Sequence, residues 1–383
     1  MENFKFANPV KIIFGKDTIK EIVKEIPQNQ RVLIIYGGGS IKKNGVYDQV
    51  TQALQHHTWF EFSGIEPNPH YETCLKAVEL INKEEIDFLL AVGGGSVIDA
   101  TKFIAAAVDY GGDPWDFMTG KSKINGALPF GTVLTLPATG SEMNKGFVIT
   151  KAATQEKLAG GSAHTYPKFS VLDPETTYSL PERQTANGII DTFVHVTEQY
   201  LTFDNHALVQ DYFAEGILKV LLEEAPKVMT KPTDYNVRAN LMWASSWGLN
   251  DWIGQGVETD WATHMIGHEL TAFYNIDHGQ TLAIVLPGVM DVQRTDKKEK
   301  ILRMGKNIFN ITEGTENERI DKTITAVENF FQSLNVKTRL SDYNVDEVGI
   351  EKIVQRFKDR KWALGERGNV TYDVVKEILQ RRR

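Results

Sequence analysis

Asp191-Thr-Phe-Val-His195 and His264-Met-Ile-Gly-His268, with His278 close behind, gather one carboxylate and four of the chain's nine histidines into two short segments. The surrounding Ala, Thr, Glu and Leu residues read as helical, and on a helix the i,i+4 spacing of each pair puts both side chains on one face. Two helices turning such faces toward a common point can close three imidazoles and one carboxylate around a divalent ion. That nitrogen and oxygen set suits Fe2+ or Zn2+. A single D-x-x-x-H is common and marks nothing by itself. The two pairs together, with His278 and a Gly279 read as letting the backbone turn beside it, make a far more specific pattern.

Glycine supplies the second signature. Gly37-Gly38-Gly39-Ser40 follows Ile35-Tyr36, and Gly93-Gly94-Gly95-Ser96 follows Leu90-Ala91-Val92 and leads into a helical stretch over 97–107. Strand, glycines, serine and helix can cradle a phosphate: without Cβ atoms the backbone approaches the anion closely, and the helix N-terminus offers N–H donors and a favourable dipole. The same composition also suits a plain tight turn, with Ser96 as an N-cap. Two such loops at successive strand ends point to a dinucleotide bound by Gly37, Gly38, Gly39, Ser40, Gly94, Gly95 and Ser96. Neither loop is G-x-G-x-x-G. A third segment, Leu136-Pro137-Ala138-Thr139-Gly140-Ser141, adds hydroxyls from Thr139 and Ser141, with Thr135 just before it. An acid at a first βα turn can bind the ribose 2′-hydroxyl of NAD and repel a 2′-phosphate. Gly39 is followed instead by Lys42 and Lys43, so NADP(H) is expected over NAD(H), unless those lysines merely solvate a helix start.

The elements that must position these groups fall into two halves. Before about residue 180, β-branched and aromatic runs at Lys11–Phe14, Arg31–Tyr36, Trp59–Phe62, Phe88–Val92, Thr132–Leu136, Phe147–Thr150 and Phe169–Leu172 alternate with helical patterns. Continuous apolar strands in βαβ order imply a parallel sheet covered on both faces, with ligands at the strands' carboxyl ends. Beyond it the segments Asn187–Leu201, Leu208–Val228, Val237–Trp247, Trp261–Tyr274, Lys297–Phe309, Ile320–Leu334 and Val370–Arg383 are helix-compatible. The expected organisation is therefore a Rossmann-like α/β domain over 1–180 and an all-helical metal-binding domain over 181–383.

A hydrophobic share of 42% with 24% charged residues leaves ample material for a core, and a net charge of −8 offers no basic stripe for nucleic acid. The Arg381–Arg383 run reads as a solvated helix end. Cys74 is the single cysteine, which is read as excluding an intramolecular disulfide and a thiolate metal site and fits a reducing cytoplasm. No signal-type h-region and no membrane-span-length apolar stretch is present. The expectation is a soluble cytoplasmic protein.

Taken in order, Glu66-Pro67-Asn68-Pro69, Gly93-Gly94-Gly95-Ser96-Val97-Ile98-Asp99, Thr135 through Glu142, Leu172-Asp173-Pro174, Asp191-x-x-x-His195, His264-x-x-x-His268 and His278-Gly279 resemble the iron-containing, group III alcohol dehydrogenase family. The resemblance runs through nearly the whole chain and is nearest to the butanol dehydrogenase and NADPH-dependent aldehyde reductase branch. It implies an N-terminal dinucleotide-binding domain, a C-terminal helical domain and a metal in the cleft between them. Its implied ligands here are Asp191, His195, His264 and His278, with His268 near the nicotinamide. Many NAD-linked members carry an aspartate where this chain has Gly39. Lys157 and Leu180 resemble positions that contact the cofactor ribose, and the family often forms homodimers.

The reaction so implied is hydride transfer between the nicotinamide C4 and a small aldehyde or primary alcohol, butanal or butanol for example, with the metal as Lewis acid. His268 either relays the proton or buttresses the metal helix. Asp99 would orient the carboxamide or cap nearby structure, and Trp252, Trp261, Phe147 and Phe273 either line an apolar tunnel or belong to the core. Three alternatives remain at this stage: a polyol (glycerol-type) dehydrogenase, a lyase resembling dehydroquinate synthase, and a non-catalytic metal and nucleotide binder. The lyase would need Lys and Arg beside the ligand motifs, and the stretch from 181 to 280 offers none there.

Overall fold

The computed structural model describes residues 1–383. Two compact units emerge: Ala7–Pro181 with Pro232–Ser246, and Met1–Phe6 with Glu182–Lys231 and Trp247–Arg383. The expected division at residue 180 differs in two segments. Met1–Phe6 joins the helical unit, where Phe6 packs edge-on against Trp252, and 232–246 joins the α/β unit, where Trp243 meets Phe14.

The α/β unit is built on a six-stranded parallel sheet in the order β1-β8-β5-β4-β2-β3. Its strands are β1 (Lys11–Phe14), β2 (Arg31–Tyr36), β3 (Thr58–Phe62), β4 (Phe88–Gly94), β5 (Phe130–Leu136) and β8 (Phe169–Leu172). The pleat sends alternate side chains to opposite faces. Val32, Ile34 and Tyr36 therefore enter one buried cluster, and Leu33 and Ile35 enter the other. Both faces are covered, which is why the strands read as unbroken apolar runs. Helices α1 (Ile22–Glu25), α2 (Val46–Ala53), α3 (Tyr71–Glu84), α4 (Gly95–Ala107) and α5 (Trp115–Met118) provide the cover. The expected strand at Phe147–Thr150 lies outside this sheet. It is β6 (Gly146–Lys151), paired antiparallel with β7 (Glu156–Gly161).

The chain leaves β2 for β3 on one side and then returns to build β4 on the other. That reversal makes β2/β4 the topological switch point, the place where open α/β sheets bind ligands at their carboxyl ends. The loops after β2, β4 and β5 thus end three adjacent strands.

The other unit carries α6 (Glu182–Tyr200), α7 (Leu208–Thr230), α9 (Ala262–Tyr274), α10 (His278–Val292), α11 (Lys298–Phe309), α12 (Glu316–Ser333), α13 (Glu347–Arg360) and α14 (Tyr372–Arg381), while α8 (Tyr235–Gly248) falls mostly in the α/β unit. Helices α10 and α13 have no counterpart among the expected segments. Leu282 through Leu286 on α10 are all buried, so no polar face marks a helical period, and Pro287 interrupts the pattern.

One expectation fails at the C-terminus. Arg382 is buried: its Nε donates to the Ile284 carbonyl at 2.9 Å, and one guanidinium nitrogen donates to Glu328 Oε1 at 2.6 Å and the Thr338 carbonyl at 2.8 Å. Gly288 makes room, since a Cβ there would stand 2.8 Å from the Arg382 Cγ.

Candidate metal centre and glycine loops

Helix α6 presents Asp191 and His195 one turn apart, α9 presents His264 near its start, and His278 is the first residue of α10. Two glycines set how closely α10 packs. A Cβ on Gly279 would lie 2.6 Å from the Asn187 carbonyl oxygen on α6, and one on Gly267 of α9 would lie 2.8 Å from Thr281 Oγ1 on α10. Gly279 therefore permits a close helix contact, and the expected backbone turn is absent because the residue is helical. Asn187 fixes the start of α10 as well, its Nδ2 donating to Asp277 Oδ2 at 2.8 Å, with Arg183 Nε 3.2 Å from the same oxygen.

The result is a convergence on one oxygen. Asp191 Oδ1 stands 3.3 Å from His195 Nδ1, 3.6 Å from His264 Nε2 and 3.6 Å from His278 Nε2. Four donors at about 2.1 Å from a shared ion are about 3.4 Å apart when tetrahedral, so these three separations from Asp191 are of the size found within a ligand set. Asp191, His195 and His264 form the tightest group and all three are buried. His264 Nε2 is buried with no hydrogen-bond partner, a costly arrangement in a closed site unless another group meets it. Burial works to lower the His264 imidazole, but the carboxylates of Glu198 and Asp191 outweigh it and push it up to about 9. Two buried carboxylates facing imidazoles draw positive charge, as a metal centre does.

Glu198 is the residue that spacing did not reveal. It lies on α6 three residues after His195, buried, and one carboxylate oxygen accepts the Thr263 N–H at 2.6 Å and the His264 N–H at 3.3 Å. The other oxygen meets His264 Nδ1. The only local hint was a second acid on the same helix, His195-x-x-Glu198. His268 is buried one turn beyond His264, its ring 5.4 Å from that of His278.

Of the four aromatics considered for a tunnel, only Trp261 adjoins the cluster, its ring 5.5 Å from His264 and 6.3 Å from His195. Phe147 is core of the α/β unit against Phe103, Trp252 packs with Phe6 and Phe213, and Phe273 lies under Lys352 and Arg356. Three of the four are thus packing residues.

In the α/β unit the two glycine loops differ in kind. Gly38 and Gly39 face open space, and Gly39 has φ of +89°, a conformation side chains resist. Gly93, Gly94 and Gly95 are glycines because of packing: a Cβ would come within 2.5 Å of Val97, 2.9 Å of Leu136 and 2.5 Å of Thr139 respectively. Helix α4 starts at Gly95 with Gly94 as its cap, so Ser96 is not the N-cap. Ser96 Oγ accepts the Asn68 N–H at 3.3 Å, and Asn68 Oδ1 accepts from Lys157 Nζ at 2.9 Å, which joins the Pro-Asn-Pro segment to both.

Asp99 and Ser141 serve an inner network. Ser141 Oγ donates to Asp99 Oδ1 at 2.6 Å, the Val148 N–H donates to Asp99 Oδ2 at 2.9 Å, and the buried Lys102 donates to Ser141 Oγ at 2.8 Å. Thr139 Oγ1 accepts the Ser141 N–H at 3.1 Å, while Thr135 and Leu180 are partly exposed. Asn44 Nδ2 donates to Ser179 Oγ at 3.0 Å, bringing the segment that ends at Leu180 beside the loop after β2. Lys42 does not simply reach into water. Its Nζ lies 3.2 Å from Glu61 Oε2 and above the Tyr36 and Tyr47 rings, and both tyrosine hydroxyls donate to that same oxygen.

Comparison with known proteins accords with this geometry. Residues 9–174 match the family model for iron-containing alcohol dehydrogenase, and residues 185–382 match the C-terminal model of the same family. The chain is 52% identical over 384 residues to the NADPH-dependent aldehyde reductase YqhD of Escherichia coli, covering 99% of each chain. It is 39% identical to NADH-dependent butanol dehydrogenase A of Clostridium acetobutylicum, covering 100% of each. A crystal structure of the Escherichia coli YqhD protein superposes with a TM-score of 0.98 at 51% identity, covering 100% of this chain and 99% of that one. An NADH-dependent butanol dehydrogenase A from Thermotoga maritima gives 0.95 at 40% identity, covering 100% and 99%.

Proposed function

This chain belongs to the iron-containing alcohol dehydrogenase family, and from that premise we propose that it reduces small aldehydes to primary alcohols with NADPH, one divalent metal bound by Asp191, His195, His264 and His278. It is an oxidoreductase of the alcohol dehydrogenase and aldehyde reductase type. The observation that carries the metal reading is the single Asp191 oxygen standing 3.3 to 3.6 Å from a nitrogen of each of three imidazoles.

A divalent ion held there would supply Lewis-acid polarisation of a carbonyl oxygen. The rest falls to the chain. Asp191 contributes negative charge that balances the ion, and Glu198 holds the His264 ring. The overall conversion is balanced: the aldehyde gains a hydride from NADPH and a proton from solvent, giving alcohol and NADP+. His268, buried one turn from His264, is the residue we assign to pass that proton, since an imidazole can donate at one ring nitrogen and accept at the other.

For the cofactor, the open Gly38 and Gly39 and the N-terminus of α4 would receive phosphates, and Lys42 would meet the 2′-phosphate. Glu61 tempers that preference by neutralising Lys42 in the absence of cofactor. Iron and zinc both suit the four donors. We also propose a homodimer formed along β1, which has a strand neighbour on one side only. No helix is long and apolar enough to cross a membrane.

The ligand and relay roles separate in two variants. His264→Ala should lose bound metal and NADPH oxidation together, whereas His268→Ala should keep most of the metal and lose turnover, by roughly a hundredfold or more for a general acid. Equal metal loss in both would mean that the four ligands are wrongly chosen. The polyol reading predicts faster turnover with glycerol than with butanol, and a lyase would consume no cofactor in net terms.

A further inference from the structure

We propose that Glu198 is a positioning residue that fixes the tautomer of His264, and so sets how tightly that imidazole can ligate a metal. The proposal rests on the metal reading above and adds a residue to it.

An imidazole binds a metal only through a nitrogen that carries no proton. In His264 the nitrogen facing Asp191 is Nε2, buried and without a hydrogen-bond partner, while Nδ1 is directed at a Glu198 oxygen. A carboxylate accepts hydrogen bonds and cannot donate them. With Glu198 ionised and the ring neutral, the contact requires the proton on Nδ1, which leaves the Nε2 lone pair free to face the Asp191 and His195 side. Carboxylate–histidine–metal chains of this sort tune ligand basicity and ring orientation, and their loss typically costs about 10–100-fold in metal affinity.

Glu198 also fixes the backbone that carries the ring. Its second oxygen accepts the N–H groups of Thr263 and His264, two of the donors that the first turn of α9 leaves without helical partners. The N-cap residue Trp261 supplies no side-chain acceptor, and Asp260 Oδ1 takes the Ala262 N–H at 2.7 Å. One carboxylate on α6 thus replaces a local cap on α9 and aligns the imidazole one residue further on. Asp260 in turn donates its N–H to the Glu198 carbonyl at 3.0 Å, and its carboxylate pairs with the buried Lys297, so the link between the helices is tied at both levels.

Glu198→Gln distinguishes the two jobs. The amide oxygen can still accept from Thr263 and His264, so the cap survives, but the group now turned to Nδ1 is an N–H donor. His264 must then accept at Nδ1 and carry its proton on Nε2, where it blocks the metal. Two measurements test this. In the metal-free protein labelled with 15N-histidine and held above pH 9, where the His264 ring is neutral, its resonances, identified by their loss in His264→Asn, should report Nδ1–H in the wild type and Nε2–H in Glu198→Gln. Chelator competition with Co2+ should show affinity falling about 10–100-fold in Glu198→Gln, with altered d–d bands. Wild-type affinity and an unchanged cobalt spectrum in Glu198→Gln would overturn the proposal while leaving the metal reading intact. Absence of Co2+ binding by the wild type would instead overturn the metal reading. Should the variant fail to fold, the wild-type spectrum still decides: Nδ1–H supports the assignment and Nε2–H refutes it.

Discussion

At the scale of single residues, chemistry was legible where type and spacing repeat and illegible where a lone side chain acts through the fold. The pairs Asp191/His195 and His264/His268 announced themselves because an i,i+4 repeat of rare ligand types is seldom accidental. Glu198 and Glu61 did not, since one acid among fifty acidic residues carries no spacing signal. Glu61 also corrects the electrostatics read from Gly39-Ser40-Ile41-Lys42: the acid that the loop lacks arrives from β3 and faces Lys42. This arrangement makes a measurable claim. Lys42→Ala should raise KM for NADPH about 10–100-fold, the worth of a hydrogen bond to a charged group, and leave KM for NADH nearly unchanged. Equal effects on both cofactors would remove Lys42 from 2′-phosphate recognition.

At the scale of elements, the four inner strands were readable because burial on both faces leaves continuous apolar runs, and most amphipathic helices because their polar faces keep period, although α13 keeps that period and has no counterpart among the expected segments. Helix α10 was not readable. Its buried Thr281-Leu282-Ala283-Ile284-Val285 stretch has the composition of a strand, and only packing against α6, α9 and α14 makes it a helix. The Gly279 contact tests that packing. Gly279→Ala should push α10 off α6, lowering stability by about 1–3 kcal/mol in denaturant unfolding and reducing metal content through the displaced His278. Unchanged metal content would show that His278 is not held by that approach.

Arg382 offers an element-scale test with a pH signature. Removing one partner of a buried charge pair costs about 3–5 kcal/mol, so Arg382→Ala should unfold at clearly lower denaturant than the wild type. Burial alone would raise the Glu328 carboxyl, but Arg382 and Thr338 outweigh it and hold it below its ordinary value of 4.5. A lowered folded-state value means the pair's contribution is fully present above pH 4.5 and is lost as pH falls from there through the lowered value. The wild type's margin over Arg382→Ala should therefore shrink below pH 4.5. A margin independent of pH would assign the effect to packing alone.

At the scale of the whole molecule, the sequence conveyed a parallel α/β half followed by a helical half, but not that Met1–Phe6 and 232–246 cross over. Met1–Phe6 is too short to carry a periodicity, a helical pattern over 232–246 does not say which unit the helix packs on, and the allegiance of both is decided by contacts such as Phe6 with Trp252 and Trp243 with Phe14. Assembly belongs to this scale too. With β1 at a sheet edge, sedimentation should give twice the 43.1 kDa chain mass, and a monomer at micromolar concentration would exclude pairing along that strand.

The central claim is that one metal, held by one carboxylate and three imidazoles, makes this chain a nicotinamide-dependent aldehyde reductase. The most direct measurement follows the reduced-nicotinamide absorbance with butanal and NADPH in enzyme as purified, after chelator stripping, and after restoration with Zn2+ or Fe2+. The account predicts NADPH consumption that disappears on stripping and returns with one of the two ions. Consumption that survives complete metal removal, or none with butanal in any of the three states, would contradict it.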